Sequence, residues 1–190
     1  MITLDELMHA ACRQYSHGVY AVTTPFVLNG WEYATDLALC IRRRTDTRDS
    51  KPGAGERFPN VESLNWSVNT QPASPIVFDQ VPPVRTLGPS EDPDDNESPR
   101  RKVAVRHLCF NQDYLQALTL AGGVIHEPQR IAEKLGLWGI TVVGSGWQAI
   151  CMRTNPPGDP RYPDVISAVV PLRRLIRRHL DSQAAKGAER

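Results

Sequence analysis

The chain has 190 residues, of which 41% are hydrophobic and 23% are charged, a composition that predicts one soluble globular domain with a sizeable core. No stretch approaches the roughly 18 consecutive apolar residues of a membrane-spanning helix, so we expect no membrane partner. The formal net charge of +1 excludes a global attraction to nucleic acid, and any such contact must come from local basic patches. The acidic N-terminal residues, which differ from the basic start of a secretory signal, predict a cytoplasmic protein.

The first predicted helix begins at Thr3, because Thr3 and Glu6 have the spacing of a capping box. Apolar residues then recur at helical spacing as far as Tyr15, and the pattern ends at residues 16–18. Arg13 is the only arginine of this helix, and it is a candidate contact for DNA or for a partner protein.

Residues 19–44 are rich in β-branched and aromatic side chains, which predicts two or three strands with a hairpin turn at residues 29–30. A polar loop follows at residues 45–55, and residues 76–78 could form a brief strand. The segment at about 82–99 is rich in proline, acidic residues and serine, and it predicts a disordered insertion because it contains too little apolar surface to fold.

The second part of the chain begins with a predicted strand over residues 102–110. Asn111 is in position to cap a second helix, which Gly122 and Gly123 would end. Residues 124–127 predict a short strand, and residues 135–153 predict a hairpin that turns at residues 144–146.

Residues 163–183 predict an amphipathic C-terminal helix, and residues 184–190 predict a disordered tail. Pro171 either kinks this helix or begins a new one. Four arginines fall on the face opposite the apolar stripe: Arg173, Arg174, Arg177 and Arg178. A solvated helix face and a contact with nucleic acid or a partner both explain such a stripe.

A second arginine cluster, Arg42, Arg43 and Arg44, lies at the end of a predicted strand. Surface charge that protects a sheet edge is the alternative to a role in binding.

The four cysteines are widely spaced and lie among apolar residues, which favours buried free thiols. Two pairs could each supply two metal ligands, namely His9 with Cys12 on the first helix and His107 with Cys109 on one face of a strand. We predict neither a metal site nor a reactive thiolate, because no spacing of the C-x-x-C type occurs and nothing marks an electropositive exposed cysteine.

Two pairs of segments suggest an internal repeat. Residues 38–42 (ALCIR) resemble residues 149–153 (AICMR) at a separation of 111 residues. Asp5 and Asp113, near the starts of the two predicted helices, lie 108 residues apart, which is nearly the same offset. Coincidence among common hydrophobic segments is the alternative.

The repeat predicts an α+β fold in one domain, residues 1–155, with an additional C-terminal helix. Its halves, about 1–80 and 101–155, would each form a helix and a small antiparallel sheet. Neither half has enough apolar surface to be stable alone, so the two would share one core.

Several segments resemble the bacterial DNA polymerase sliding clamp family. The most specific are an A-T-D-L turn at Ala34-Thr35-Asp36-Leu37 and an F-N-x-x-Y-L helix opening made by Phe110-Asn111 and Tyr114-Leu115. Weaker matches occur in residues 24–28, 58–60 and 152–153. We expect Asp36 to cap a tight turn through its side chain rather than to act in catalysis.

The resemblance implies a DNA-clamp-like domain with two pseudo-repeated halves and no cofactor. A clamp subunit has three such domains and this chain has room for one, which is what we expect of a phage-type clamp-like protein. The implied function is that of a non-enzymatic replication or repair accessory protein, a processivity factor that binds duplex DNA without reading its sequence. DNA polymerase or other replication proteins would be partners, and a closed ring would require a homo-oligomer of six copies.

Two alternative functions remain open from the sequence. The first is a clamp-fold protein-interaction module that does not bind DNA and uses its C-terminal helix as the contact. The second is a small thiol or hydrolytic enzyme, against which stands the lack of a G-x-S-x-G elbow, a phosphate-binding glycine loop and an H-E-x-x-H motif.

Overall fold

The computed structural model describes residues 1–12, 20–78, 102–154 and 169–188. Several predicted features lie outside the described residues: Arg13, the insertion at about 82–99, the start of the last helix at 163–168 and the end of the tail at 189–190. Within the described ranges the fold is α+β, with three α-helices and an antiparallel sheet.

The helices are α1 (Leu4–Ala10), α2 (Gln112–Leu120) and α3 (Val169–Ala188). Both predicted N-terminal caps are confirmed. The Thr3 hydroxyl accepts a hydrogen bond from the Glu6 backbone N–H while the Glu6 carboxylate accepts from the Thr3 N–H, and Asn111 Oδ1 accepts from the Asp113 N–H at 2.9 Å.

The described residues form nine strands, in chain order β1 (Phe26–Leu28), β2 (Trp31–Thr35), β3 (Leu39–Arg44), β4 (Lys102–Val105), β5 (Leu108–Asn111), β6 (Val124–Ile125), β7 (Gln129–Ala132), β8 (Leu137–Gly144) and β9 (Trp147–Met152). Seven of them form one sheet in the order β1-β2-β3-β9-β8, with β6 and β7 both on β8, whereas β4 and β5 form a separate hairpin. The predicted turn at residues 29–30 is confirmed, because Asn29 and Gly30 have the positive φ values, 50° and 74°, that a tight hairpin requires.

The two segments that suggested a repeat lie side by side at the centre of the sheet. β3 pairs with β9 in an antiparallel register that places Leu39 opposite Cys151 and Cys40 opposite Ile150. This pairing joins the two halves of the chain into one sheet.

The two faces of the sheet carry different cores, because side chains alternate along each strand. On one face, Leu39, Ile41 and Cys151 pack with all three helices. On the other face, Cys40 and Ile150 pack with a smaller aromatic cluster, which the loop at residues 58–66 covers.

The long connection after β3 also covers the edges of the sheet. The backbone N–H of Ser50 donates to the Val27 carbonyl on β1 at 2.9 Å, and that of Asn65 donates to the Ile131 carbonyl on β7 at 2.7 Å. At β6, the Ala73 N–H donates to the Ile125 carbonyl at 2.9 Å. These bonds occupy edge groups that would otherwise be open to pairing with another chain.

Four predicted element boundaries are wrong. Helix α1 ends at Ala10, earlier than the predicted helix, whose last apolar position, Tyr15, lies outside the described residues. The predicted strand over 102–110 is the β4–β5 hairpin, because Arg106 adopts a φ of 55° and reverses the chain. Residues 76–78 form no strand. Helix α3 continues to Ala188, so residues 184–188 of the predicted disordered tail are helical.

Candidate nucleic-acid interface

The A-T-D-L segment forms the tight turn between β2 and β3. The Asp36 Oδ1 atom accepts hydrogen bonds from the backbone N–H groups of Ala38, at 2.9 Å, and Leu39, at 2.7 Å. The Thr35 hydroxyl donates to the Leu39 carbonyl at 2.7 Å, and Leu37 adopts a φ of 78°. The structure therefore agrees with the predicted role of Asp36 as a turn-capping residue.

The second family-like segment meets this turn. The hydroxyl of Tyr114, on the first turn of α2, donates a hydrogen bond to Asp36 Oδ2, and both residues are buried. Among the other apolar members of the two segments, Ala34, Phe110 and Leu115 are core residues, whereas Leu37 is half-buried in the turn. The segments that carry the resemblance thus contact each other inside the molecule, where they are structural.

The β3 arginines stack on tryptophans. The guanidinium of Arg42 lies 4.1 Å from the ring centroid of Trp31 and 4.0 Å from that of Trp66. Arg44 lies 4.0 Å from the Trp31 centroid, so Trp31 contacts two guanidinium groups. Arg42 also donates to Gln148 Oε1 at 2.7 Å, and burial lowers its pKa.

Arg43 lies on the opposite face of β3 and contacts two acids. Its Nε donates to Glu32 at 2.6 Å and its Nη1 to Asp5 at 2.5 Å. Burial acts to lower the pKa of Arg43, but the hydrogen bonds with Glu32 and Asp5 outweigh burial and raise that pKa. This arginine therefore ties the sheet to the start of α1.

Arg173 is not on the exposed stripe that the sequence predicts. Its side chain is 1% exposed, and its Nη2 lies 3.0 Å from Oδ2 of the fully buried Asp113 on α2. Leu172 and Ile176 of the same helix are 0% exposed. The helical spacing of the arginines assigns Arg173 to the exposed face of the predicted helix. That spacing does not reveal Asp113, the acidic partner that allows Arg173 to be buried.

The remaining α3 arginines reach the surface. Arg174, Arg177 and Arg178 are exposed and recur at helical spacing. Arg177 lies 3.5 Å from Asp181, and Arg178 lies 2.7 Å from Glu6 of α1. These three arginines define the α3 stripe.

Helix α3 lies against both α1 and α2. Gln112 and Asp113 at the start of α2 are 1% and 0% exposed, and Gln116 is 9% exposed. Helix α2 is buried along most of its length, whereas Asp5, Glu6 and His9 of α1 are exposed. A DNA contact through the surface of α2 therefore does not fit this packing.

Sequence reasoning missed a polar cleft of about 180 Å³ below the tip of the β4–β5 hairpin. It is lined by Asn69, Gln71, Arg106, His107, Glu127, Pro128 and Trp138. Arg106 Nε donates to Glu127 Oε2 at 2.6 Å, and Nη2 donates to Oε1 at 3.2 Å. No sequence pattern identifies this cleft, because its residues come from four separate segments and the hairpin was read as one strand.

Three of the four cysteines, Cys12, Cys40 and Cys151, are buried free thiols. Burial raises the pKa of Cys12 to about 12, and it also raises the pKa of Cys40 and Cys151. Thiols in this state stay protonated at neutral pH and are poor nucleophiles. His107 and Cys109 lie in a turn and in the strand after it rather than on one strand face, which corrects the geometry predicted for that pair.

No protein-family model, curated protein or solved structure matches this chain. Within the part of the chain that the structure describes, no helix is long and apolar enough to cross a membrane.

Proposed function

We propose that this protein is a non-enzymatic accessory factor of DNA replication or repair, built like one domain of a sliding clamp. The observation that carries the proposal is the hydrogen bond from Tyr114 to Asp36, which joins the two most family-like segments in the core. The pairing of β3 with β9 at the centre of the sheet supports two pseudo-repeated halves. The step from this architecture to a function is an analogy at the level of the fold.

In this proposal the α3 stripe, not α1 and α2, contacts duplex DNA. Three exposed arginines on one helix face can reach phosphates without reading bases, which is the contact that a sequence-independent clamp requires. The ion pairs of Arg177 and Arg178 are exposed and weak in salt, so phosphate groups can compete with the carboxylates.

Any assembly of copies would have to use surfaces other than the described edges of the seven-stranded sheet. Residues 50, 65 and 73 already bond to β1, β7 and β6, and edge-to-edge pairing would displace them. A ring of six copies therefore remains a proposal, and its contacts between copies would not involve these strand edges.

The test compares duplex DNA binding of the wild type with a variant in which Arg174, Arg177 and Arg178 are all changed to alanine. The slope of log affinity against log salt is expected to fall by roughly 2 to 3, because each lost phosphate contact removes about 0.9. The matched control changes Arg48, Lys51 and Arg57 to alanine, which removes the same charge from exposed residues outside α3. Equal affinity and slope in the two variants would contradict a contact through the α3 stripe.

A protein-interaction module without DNA binding is the second candidate. It is favoured by the acids that already contact Arg43, Arg173, Arg177 and Arg178, since these reduce the charge available to phosphates. Absence of salt-sensitive DNA binding, together with altered self-association of the α3 stripe variant in sedimentation, would select this candidate.

A further inference from the structure

The polar cleft is lined by side chains from four segments of the chain. These are residues 69–71, the hairpin tip at residues 106–107, residues 127–128 and Trp138 on β8. Arg106 occupies the hairpin position with a φ of 55°, which glycine adopts without strain and arginine rarely adopts. This turn brings the Arg106 side chain to Glu127 at the cleft.

The charge inside the cleft is balanced. The Glu127 carboxylate is nearly buried, with 12% of its side chain exposed, and it accepts from two nitrogens of Arg106. Because the two charges neutralise each other, the interior does not favour a small free anion. It offers a polar, hydrogen-bonding surface instead.

The remaining groups suit a flat ring with donors and acceptors on its edge. Gln71 carries an exposed carboxamide with a donor and an acceptor, whereas Asn69 Oδ1 accepts from the Gln71 backbone N–H at 3.1 Å and leaves its NH₂ group as a donor. Trp138 provides an indole, which the ring of His107 contacts edge-on with the centroids 6.4 Å apart. Aromatic side chains with neighbouring amides are the usual means of stacking and hydrogen-bonding an unpaired base.

Two arginines that are not part of the cleft lining lie next to Trp138. Arg130 pairs with Trp138 in the β7–β8 register, and its guanidinium lies 5.9 Å from the centroid of that ring. Arg153 is exposed, and its backbone N–H donates to the Trp138 carbonyl at 3.1 Å. A nucleotide whose base enters the cleft would have its phosphates within the field of these two arginines.

We infer that the cleft binds an unpaired nucleotide of a single-stranded nucleic acid, with the base against Trp138 and the phosphates facing Arg130 and Arg153. The carboxamides of Asn69 and Gln71 bond to the edge of the base. This site is separate from the α3 stripe, and the inference goes beyond the proposed function because it does not depend on duplex binding.

The test measures binding of a fluorescently labelled oligothymidine to the full chain, beside an abasic oligonucleotide of the same length and charge. The oligothymidine is expected to bind about tenfold or more tightly, which corresponds to one stacked base. Equal binding of the two would show a contact with the phosphates alone and would overturn the inference. No binding of either would also overturn it.

Two variants locate the contact: Gln71→Ala and Arg130→Ala. Gln71→Ala and Arg130→Ala change exposed side chains, and each is expected to weaken oligothymidine binding about tenfold while the fold is kept. Arg57→Ala, an exposed arginine outside the cleft lining, is the matched control and should bind as the wild type does. Weakening by Arg57→Ala to the same extent would overturn the assignment to the cleft.

Two comparisons separate this inference from its rivals. Glucose and other neutral sugars fit a cleft of amides and an indole, and displacement of the oligothymidine by millimolar sugar would overturn the base assignment. The α3 stripe variant is expected to retain oligothymidine binding, and the cleft variants are expected to retain duplex binding. Each proposal can therefore fail while the other stands.

Discussion

At the scale of single residues, the buried contact between Asp36 and Tyr114 joins positions that are 78 residues apart in the chain. Asp36 is 0% exposed and receives donors from its own turn and from α2. An ionised carboxylate can stay buried only when several donors reach it, so this tyrosine hydroxyl supports the turn and the helix together.

Tyr114→Phe is expected to lower the free energy of unfolding by about 1–3 kcal/mol, because it removes one donor from a buried carboxylate and keeps the ring packing. Urea unfolding measures the change. The control is Tyr20→Phe, which removes a hydroxyl at a half-exposed position, 3.3 Å from Arg57. The role of the contact would be refuted if the two substitutions had equal effects.

At the scale of secondary-structure elements, the ion pair between Arg173 and Asp113 connects α3 to α2 in the interior. Their side chains are 1% and 0% exposed. A buried charge that loses its partner is costly, whereas removal of both charges is often tolerated. The pair therefore couples the position of α3 to the start of α2.

Arg173→Met alone is expected to lower the free energy of unfolding by roughly 3–5 kcal/mol, because Asp113 loses its buried guanidinium. The double variant Arg173→Met with Asp113→Leu should recover a large part of this loss, and a double-mutant cycle measures the coupling. Arg178→Ala, on the same helix but at an exposed ion pair, should leave the stability close to that of the wild type. Strict additivity in the cycle would refute the coupling of α3 to α2.

The correct local predictions were those that depend only on interactions between neighbouring residues. Thr3 with Glu6 and Asn111 with Asp113 each satisfy helix N–H groups within one turn, so a short segment is enough to predict them. The β4–β5 hairpin was missed because an arginine, not a glycine, occupies the left-handed position of its turn.

At the scale of the whole molecule, the two cores on the two faces of the sheet bury three of the four cysteines. Their raised pKa values make the stability of the fold depend on pH. In the unfolded chain a thiol ionises near its ordinary pKa of about 8.5, whereas in the folded chain Cys12, Cys40 and Cys151 stay protonated.

The free energy of unfolding is therefore expected to fall as the pH rises above about 8.5, since the unfolded state then binds fewer protons than the folded state. Below that pH the contribution of the buried thiols is fully present. Each of these thiols lowers the free energy of unfolding by about 1.4 kcal/mol per pH unit until the pH reaches its folded-state pKa. Urea unfolding at several alkaline pH values measures the slope.

Cys12→Ala should make this slope shallower by about 1.4 kcal/mol per pH unit, because it removes one of the three ionisations. A slope unchanged by the substitution would contradict the burial effect. Cys109→Ala, at a half-buried position in β5, serves as the comparison.

The sequence by itself determined the α+β class, the two helix caps, the turns at residues 29–30 and 144–146 and the central strands, because these depend on periodicity and on contacts within a few residues. Only the tertiary structure decided that Asp36 meets Tyr114, that Arg173 is buried against Asp113, that α3 packs against α1 and α2, and that four distant segments line a cleft. These features depend on which side chains the fold brings together across long separations. Hydrophobic patterning identifies the face that a residue occupies, but it does not identify the partner that the residue meets there.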